Sequence, residues 1–262
     1  MKRSILVWGV TLALAVSARG DVTIKHITSG KGMGVAASGS STTYIKGMKM
    51  RSEADVRGTT MTTIFDVENQ KMYILDAKKK SVDVWDMQAF SQEMGKSVQT
   101  GEIKASVKAN GKKKDIAGKS ASGYDLDVSV PAMMGGEKGM EMTITLRGPM
   151  WVVKGAPGTQ EYVNFYKAAV EKGWIFSDPR AAKGSPGQAK AMAEMQRQLA
   201  STGGVPYETE MNVSITGEGP MAAVMARMGG MSMTTTVQSI DTGALDDALF
   251  APPAGYKLVQ KK

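Results

Sequence analysis

Cysteine is absent from all 262 residues, and histidine occurs once, as His26. Without cysteine no disulfide can form, so stability rests on core burial alone. No thiol is available as a nucleophile or as a lipid attachment point. Zinc sites draw several ligands from histidine and cysteine, which excludes a structural or catalytic zinc. A Ser-His-acid arrangement would have to use His26. That residue lies in DVTIKHITS, residues 21–29, where Val22, Ile24 and His26 share one face of an alternating strand. A lone strand histidine suits packing better than catalysis. No calcium loop of the DxDxDG kind is present. The expectation is a protein without metal or cofactor that is not an enzyme.

Long apolar runs are also missing beyond the N-terminus. Lys2 and Arg3, the apolar stretch Ile5 to Val16, and Ala18-Arg19-Gly20 read as the three parts of a cleaved secretory signal. Residues 1–20 are therefore expected to be removed and residues 21–262 to form one domain. No later stretch reaches the roughly 20 apolar residues of a membrane span. With no cysteine behind the signal, a soluble periplasmic protein is expected rather than a lipoprotein. Removing Lys2, Arg3 and Arg19 leaves 30 basic against 25 acidic residues, a net charge near +5. This excess reads as spread along the chain, suited to weak contact with an anionic membrane surface. Nothing resembles a nucleic-acid module.

What the chain does contain is alternation and methionine. Residues 42–87 read as a four-strand antiparallel meander, with Tyr44, Met48 and Met50 alternating, then Met61, Thr63, Phe65 and Val67, then Met72 to Leu75, then Val82 to Trp85. The Gly- and Ser-rich residues 30–41 read as a loop leading into it. Its Gly30, Gly32 and Gly34 make no phosphate cradle, because no helix pattern follows. Met87, Phe90 and Met94 are spaced for a short helix, and Asn110-Gly111 is a hairpin signal. Tyr162, Phe165, Tyr166 and Ala169 mark a helix over 159–173, with Thr159 as N-cap and Gly173 as C′. A second helix runs over 186–202 with Ala189, Met192, Met195 and Leu199 inward, and a third over 220–229. No internal repeat or linker divides the chain.

Three segments, YIKGMKMRSE, IFDVENQKMYILDAKKKSVDVW and ALDDALFAPPAGYKLV, resemble bacterial families of unknown function with a LolA-like fold. Those families pair a G-x-K-x-R strand with an I-x-D…M-Y-x-L…K hairpin and end in L-F-x-P-x-G-Y. Here the positions are Gly47, Lys49 and Arg51; Ile64, Asp66, Met72, Tyr73 and Leu75; and Leu249, Phe250, Pro253, Gly255 and Tyr256. The resemblance implies a mainly β (α+β) fold: a curved antiparallel sheet forming an incomplete barrel, its concave side covered by two or three amphipathic helices. It also implies a hollow that holds lipid or the acyl chains of a lipoprotein.

Twenty of the 21 methionines follow the signal, and methionine lines surfaces that adapt to varied apolar partners as readily as it fills cores. The expected reading is a monomeric, non-catalytic binding protein for an apolar small molecule or lipid. Its wall would be Tyr44, Met48, Met50, Met61, Phe65 and Met72, continued by Ile74 and Trp85. Tyr162, Phe165, Met192 and Met195 would line the covering helices. The alternative is an envelope protein–protein interaction module of the same fold with a filled core and no ligand.

Overall fold

The computed structural model describes residues 20–32, 35–56, 58–96, 104–134, 140–182, 186–217 and 230–261. Residues 1–19 of the expected signal and the expected helix over 220–229 lie outside the described residues. Six strands come first: β1 (Val22–Gly32), β2 (Val35–Lys46), β3 (Lys49–Val56), β4 (Thr59–Asp66), β5 (Lys71–Asp76) and β6 (Ser81–Asp86). Helix α1 (Met87–Lys96) precedes β7 (Lys104–Ile116), β8 (Lys119–Met134) and β9 (Met140–Val153). Then come α2 (Thr159–Glu171), the four-residue α3 (Pro179–Ala182) and α4 (Pro186–Ser201). Strands β10 (Val205–Gly217) and β11 (Met231–Thr242), a 3₁₀ turn (Asp247–Phe250) and β12 (Lys257–Lys261) follow.

Aspartates define the hairpins. Asp55, Asp66, Asp76 and Asp115 each accept a hydrogen bond on Oδ1 from the backbone N–H three residues on, at 3.0, 3.0, 3.0 and 3.1 Å. An aspartate that caps its own turn in this way fixes where one strand ends. The strands join one sheet in the order β12-β6-β5-β4-β3-β2-β1-β11-β10-β9-β8-β7. Every pair is antiparallel except β12 with β6. The chain thus meanders outward from β1 to β6, jumps to the far edge at β7, and meanders back until β11 pairs with β1.

That jump requires curvature. Laid flat, β6 and β7 would stand roughly 48 Å apart at the usual strand spacing. The intervening residues 87–103, with α1 helical, reach roughly 40 Å at most. The sheet therefore curls, and α4 touches both α1 beside β6 and the strands β7 and β8 at the opposite edge. Among the described residues β7 and β12 do not pair, so the sheet stays open: a curved sheet plus helices rather than a closed barrel.

Three sequence expectations change. Tyr44, Met48 and Met50 do not share a strand, because Gly47 adopts φ 56° and turns the chain between β2 and β3. A residue with a Cβ reaches that left-handed region only with strain. The Gly/Ser segment is no loop. Residues 30–32 end β1 and residues 35–41 begin β2, and the pairing of these strands, from Gly32↔Val35 to Val22↔Ile45, overrides the low strand propensity. Asn110-Gly111 makes a bulge within β7 rather than a hairpin. The Asn110 side chain accepts from Lys112 N at 3.0 Å and donates to Asp125 Oδ1 at 2.8 Å. The actual turn falls at Ala117-Gly118, both with positive φ.

Candidate functional site

Strand register alone aligns a band of apolar side chains across the sheet. Ile45 pairs with Met50, Met50 with Phe65, Phe65 with Met72, and Met72 with Trp85. Directly paired residues point to the same side, so five adjacent strands present one buried row. Met50, Phe65, Met72 and Trp85 are all buried, as is Ile74 on the same face of β5.

Helix α2 lies over this row. Its N-cap is Gly158 at φ 76°, not Thr159, whose hydroxyl is buried without a hydrogen-bond partner among the described residues. Any side chain at 158 would meet the Val22 methyls, so this cap position requires glycine. The C-terminus follows expectation. Gly173 N bonds to Val170 O and Trp174 N to Ala169 O, both at 2.9 Å, a Schellman motif. That motif swings Trp174 and Phe176 under the helix, where they meet Phe65 with ring centroids 6.5 and 5.5 Å away. Phe165 and Tyr166 stand edge-on at 5.3 Å, and Tyr166 lies 5.2 Å from Phe176. The hollow under α2 is therefore filled by the chain's own rings.

The tyrosine hydroxyls in this filling are satisfied locally. Tyr166 donates to the Met50 sulfur at 3.6 Å, and the Tyr162 hydroxyl bonds to that of Tyr166. Burial raises the Tyr166 pKa to about 12 and raises that of Tyr162 well above its ordinary value. Both stay neutral across the physiological range, as packing residues should.

The structure divides the expected wall. Met50, Phe65, Met72, Ile74, Trp85 and Phe165 belong to one core cluster, with Met48 and Tyr162 packed against it. Met195, buried, and Met192, half-buried, belong to a second cluster in which α4 packs on Leu126, Val128 and Val130 of β8. Tyr44 pairs with Arg51 and lies on the opposite face from Met50. Met61 shares the Met50 face but lies far along β4 and is 46 % exposed. Sequence reading omitted Trp174 and Phe176. The available signal was an apolar residue directly behind a C′ glycine, which tends to fold back onto the helix it ends.

An open groove of about 410 Å³ lies where α1, the end of α2 and α4 meet. Met94, Trp174 and Ile175, all core members, form its deeper wall, while Ser91, Lys190, Glu194 and Arg197 stand nearer solvent. Trp174 Nε1 is buried with no hydrogen-bond partner among the described residues. A buried donor left unpaired costs stability and is uncommon in native folds. Arg197 pairs with Glu194 at 2.9 Å, and Ser91 Oγ donates to Gly173 O at 3.0 Å.

No family model matches the chain, and no curated protein sequence matches it significantly. Comparison with solved structures finds low-scoring likenesses. One is an uncharacterized conserved protein from Thermus thermophilus, with TM-score 0.38 and 6% identity, covering 94% of this chain and 93% of that one. A second, named for outer membrane lipoprotein sorting, comes from Vibrio parahaemolyticus: TM-score 0.29, 9% identity, 89% of this chain and 90% of that one. A DUF1329 family protein from Desulfovibrio piger gives TM-score 0.29 and 12% identity over 90% of this chain and 91% of that one. These likenesses assign neither a family nor a ligand.

Among the described residues, no group of three or more His, Cys, Asp or Glu is placed to hold a metal ion, and no helix is long and apolar enough to cross a membrane.

Proposed function

We propose that the protein is a non-catalytic, exported binding protein for an amphiphile with an apolar chain, such as a lipid or the acyl part of a lipoprotein. The observation that carries this reading is the groove between α1, α2 and α4. It is within the usual size range of small-molecule sites, and its inner wall is Met94, Trp174 and Ile175. A carboxylate or phosphate head would take the charge of Lys190 on the solvent side, while the chain followed Met94 toward the core. Each methylene buried contributes roughly 0.8 kcal/mol. In this reading the filled hollow is the closed state, and the α2 aromatics shift when a chain enters.

Ala193 lies on α4 in the groove lining and is half-buried. Replacing Ala193 with Trp fills the groove without touching the sheet. Titration with a fluorescent long-chain fatty acid should show saturable binding to the native chain and at least a tenfold weaker affinity for Ala193→Trp. Equal binding by both proteins would place the ligand elsewhere. The packed rings of Phe65, Phe165, Tyr166, Trp174 and Phe176 favour a second reading, an interaction module with a filled core; native protein that takes up no fatty acid would support it.

A further inference from the structure

The positive charge of this chain is not spread as its composition suggests. Residues 104–119, which form β7 and the turn into β8, hold six lysines and one aspartate, a net +5. Residues 20–262 as a whole carry 30 basic and 25 acidic side chains, the same net +5, so everything outside this segment sums to zero. Strand β7 is the last strand of the sheet. All six lysines, at 104, 108, 112, 113, 114 and 119, are exposed.

The neighbouring acids do little to cancel Lys108, Lys112 and Lys113. Asp125, paired with Lys108 across the strands, accepts its hydrogen bond from Asn110. Asp127 binds Arg147 at 2.9 Å. Counting Asp125, Asp127 with its partner Arg147, and Glu208 with the segment still leaves +3. Lys114 is committed to Glu208 at 2.6 Å, where it also lies 5.5 Å from the centre of the Trp151 ring.

Lysines and a bulge on an outer strand also discourage edge-to-edge pairing. The opposite edge shows how little that task needs: β12 is five residues long, with Lys257 and Lys261, and Lys261 pairs with Asp83 at 3.2 Å. Strand β7 carries far more charge than this. Behind its lysines, Ala105 and Val107 are half-buried against the α4 cluster that includes Met192 and Leu199. A cationic rim before an apolar layer is the arrangement of elements that rest on lipid head groups.

We propose that this lysine edge docks the protein on an anionic bilayer surface. The extended strand spans roughly 40 Å, long enough to lie along a membrane. Lysine is a compact, flexible point charge suited to a fluid array of head groups, whereas defined phosphate clefts favour arginine forks. The segment contains no aromatic residue on which nucleic-acid bases could stack. Docking does not depend on the groove taking a ligand.

The test is flotation of the full chain with vesicles of phosphatidylcholine alone and with about one third phosphatidylglycerol, at low and high salt. Each lysine near such a surface contributes about a fivefold change in partitioning. The variant Lys108→Gln/Lys112→Gln/Lys113→Gln should therefore bind anionic vesicles on the order of 100-fold more weakly. A control of equal net charge, Lys25→Gln/Lys78→Gln/Lys167→Gln, changes exposed lysines elsewhere and should lose no more than about fivefold. Matched circular dichroism spectra and melting curves confirm that both variants fold. The proposal is overturned by equal losses in the two variants, by indifference of the native chain to lipid charge, or by tighter binding to RNA than to vesicles.

Discussion

At the scale of single residues, two buried polar groups report on the interior. His26 pairs with Ser41 on β2 and Val237 on β11, and burial lowers its pKa below the ordinary 6.5. The unfolded chain therefore binds this proton more readily than the folded one. Its contribution to stability is complete above pH 6.5 and is lost as pH falls toward the lowered folded value. Urea midpoints should drop between about pH 7.5 and 5.5, above the usual carboxylate range, and His26→Gln should flatten that slope. An unchanged slope in the variant would assign the proton to another group. The tyrosine pair works in the opposite direction: with the Tyr166 pKa raised to about 12, stability is lost as pH rises from the ordinary tyrosine value of 10 through 12.

Among the elements, the C-terminal tail explains the motifs on which the family resemblance rested. Arg51 Nη1 donates to the Leu249 carbonyl at 3.1 Å, and Arg51 pairs with Glu53 at 2.6 Å. Lys46 binds the Leu245 carbonyl and Asp247, at 2.6 and 2.9 Å. The 3₁₀ turn packs on β3 and β4, Phe250 is buried, and Lys257 N bonds to Lys80 O to start β12. Arg51, Ile64, Tyr73 and Val84 are paired in register, so the tail covers the face opposite the hollow. This explains why Ile64 and Val84 are buried there. Arg51 and the turn at Leu249 and Phe250 form a structural clasp, and Gly47 makes the turn that leads into β3. Phe250→Ala should cost about 3–5 kcal/mol and speed amide exchange in β12; a loss under about 1 kcal/mol would mean that the tail is not anchored there.

How legible each element was follows from how local its cause is. Strands β4 to β6, the body of α2 and its Schellman end are set by alternation, helical spacing and a C′ glycine within a few residues and are legible there, whereas the turn at Gly47 and the cap at Gly158 are not. Nor is the Gly/Ser hairpin, because only its partner strands make it a strand. Asn110-Gly111 misled for a related reason: β8 continues past it, and Asp115 with Gly118 claims the turn. Tyr44 lies on the face opposite Met50 because the turn at Gly47 reverses the alternation that their spacing suggests. Met192 and Met195 were placed with the meander methionines, but which part of the sheet α4 covers depends on the curl.

For the whole molecule, the outward and returning meanders make an open, curled sheet with different chemistry at each boundary. Rings fill the hollow, a groove reaches that core from the helix side, and one outer strand concentrates the charge. The proposed function requires that this architecture hold an apolar chain. Native mass spectrometry of the full chain, exported and purified without detergent and followed by lipid extraction, tests it most directly. A co-purifying lipid at one per protein, or one fatty acid taken up on addition and blocked by Ala193→Trp, is the predicted result. A bare protein mass that stays unchanged with added fatty acid would contradict it.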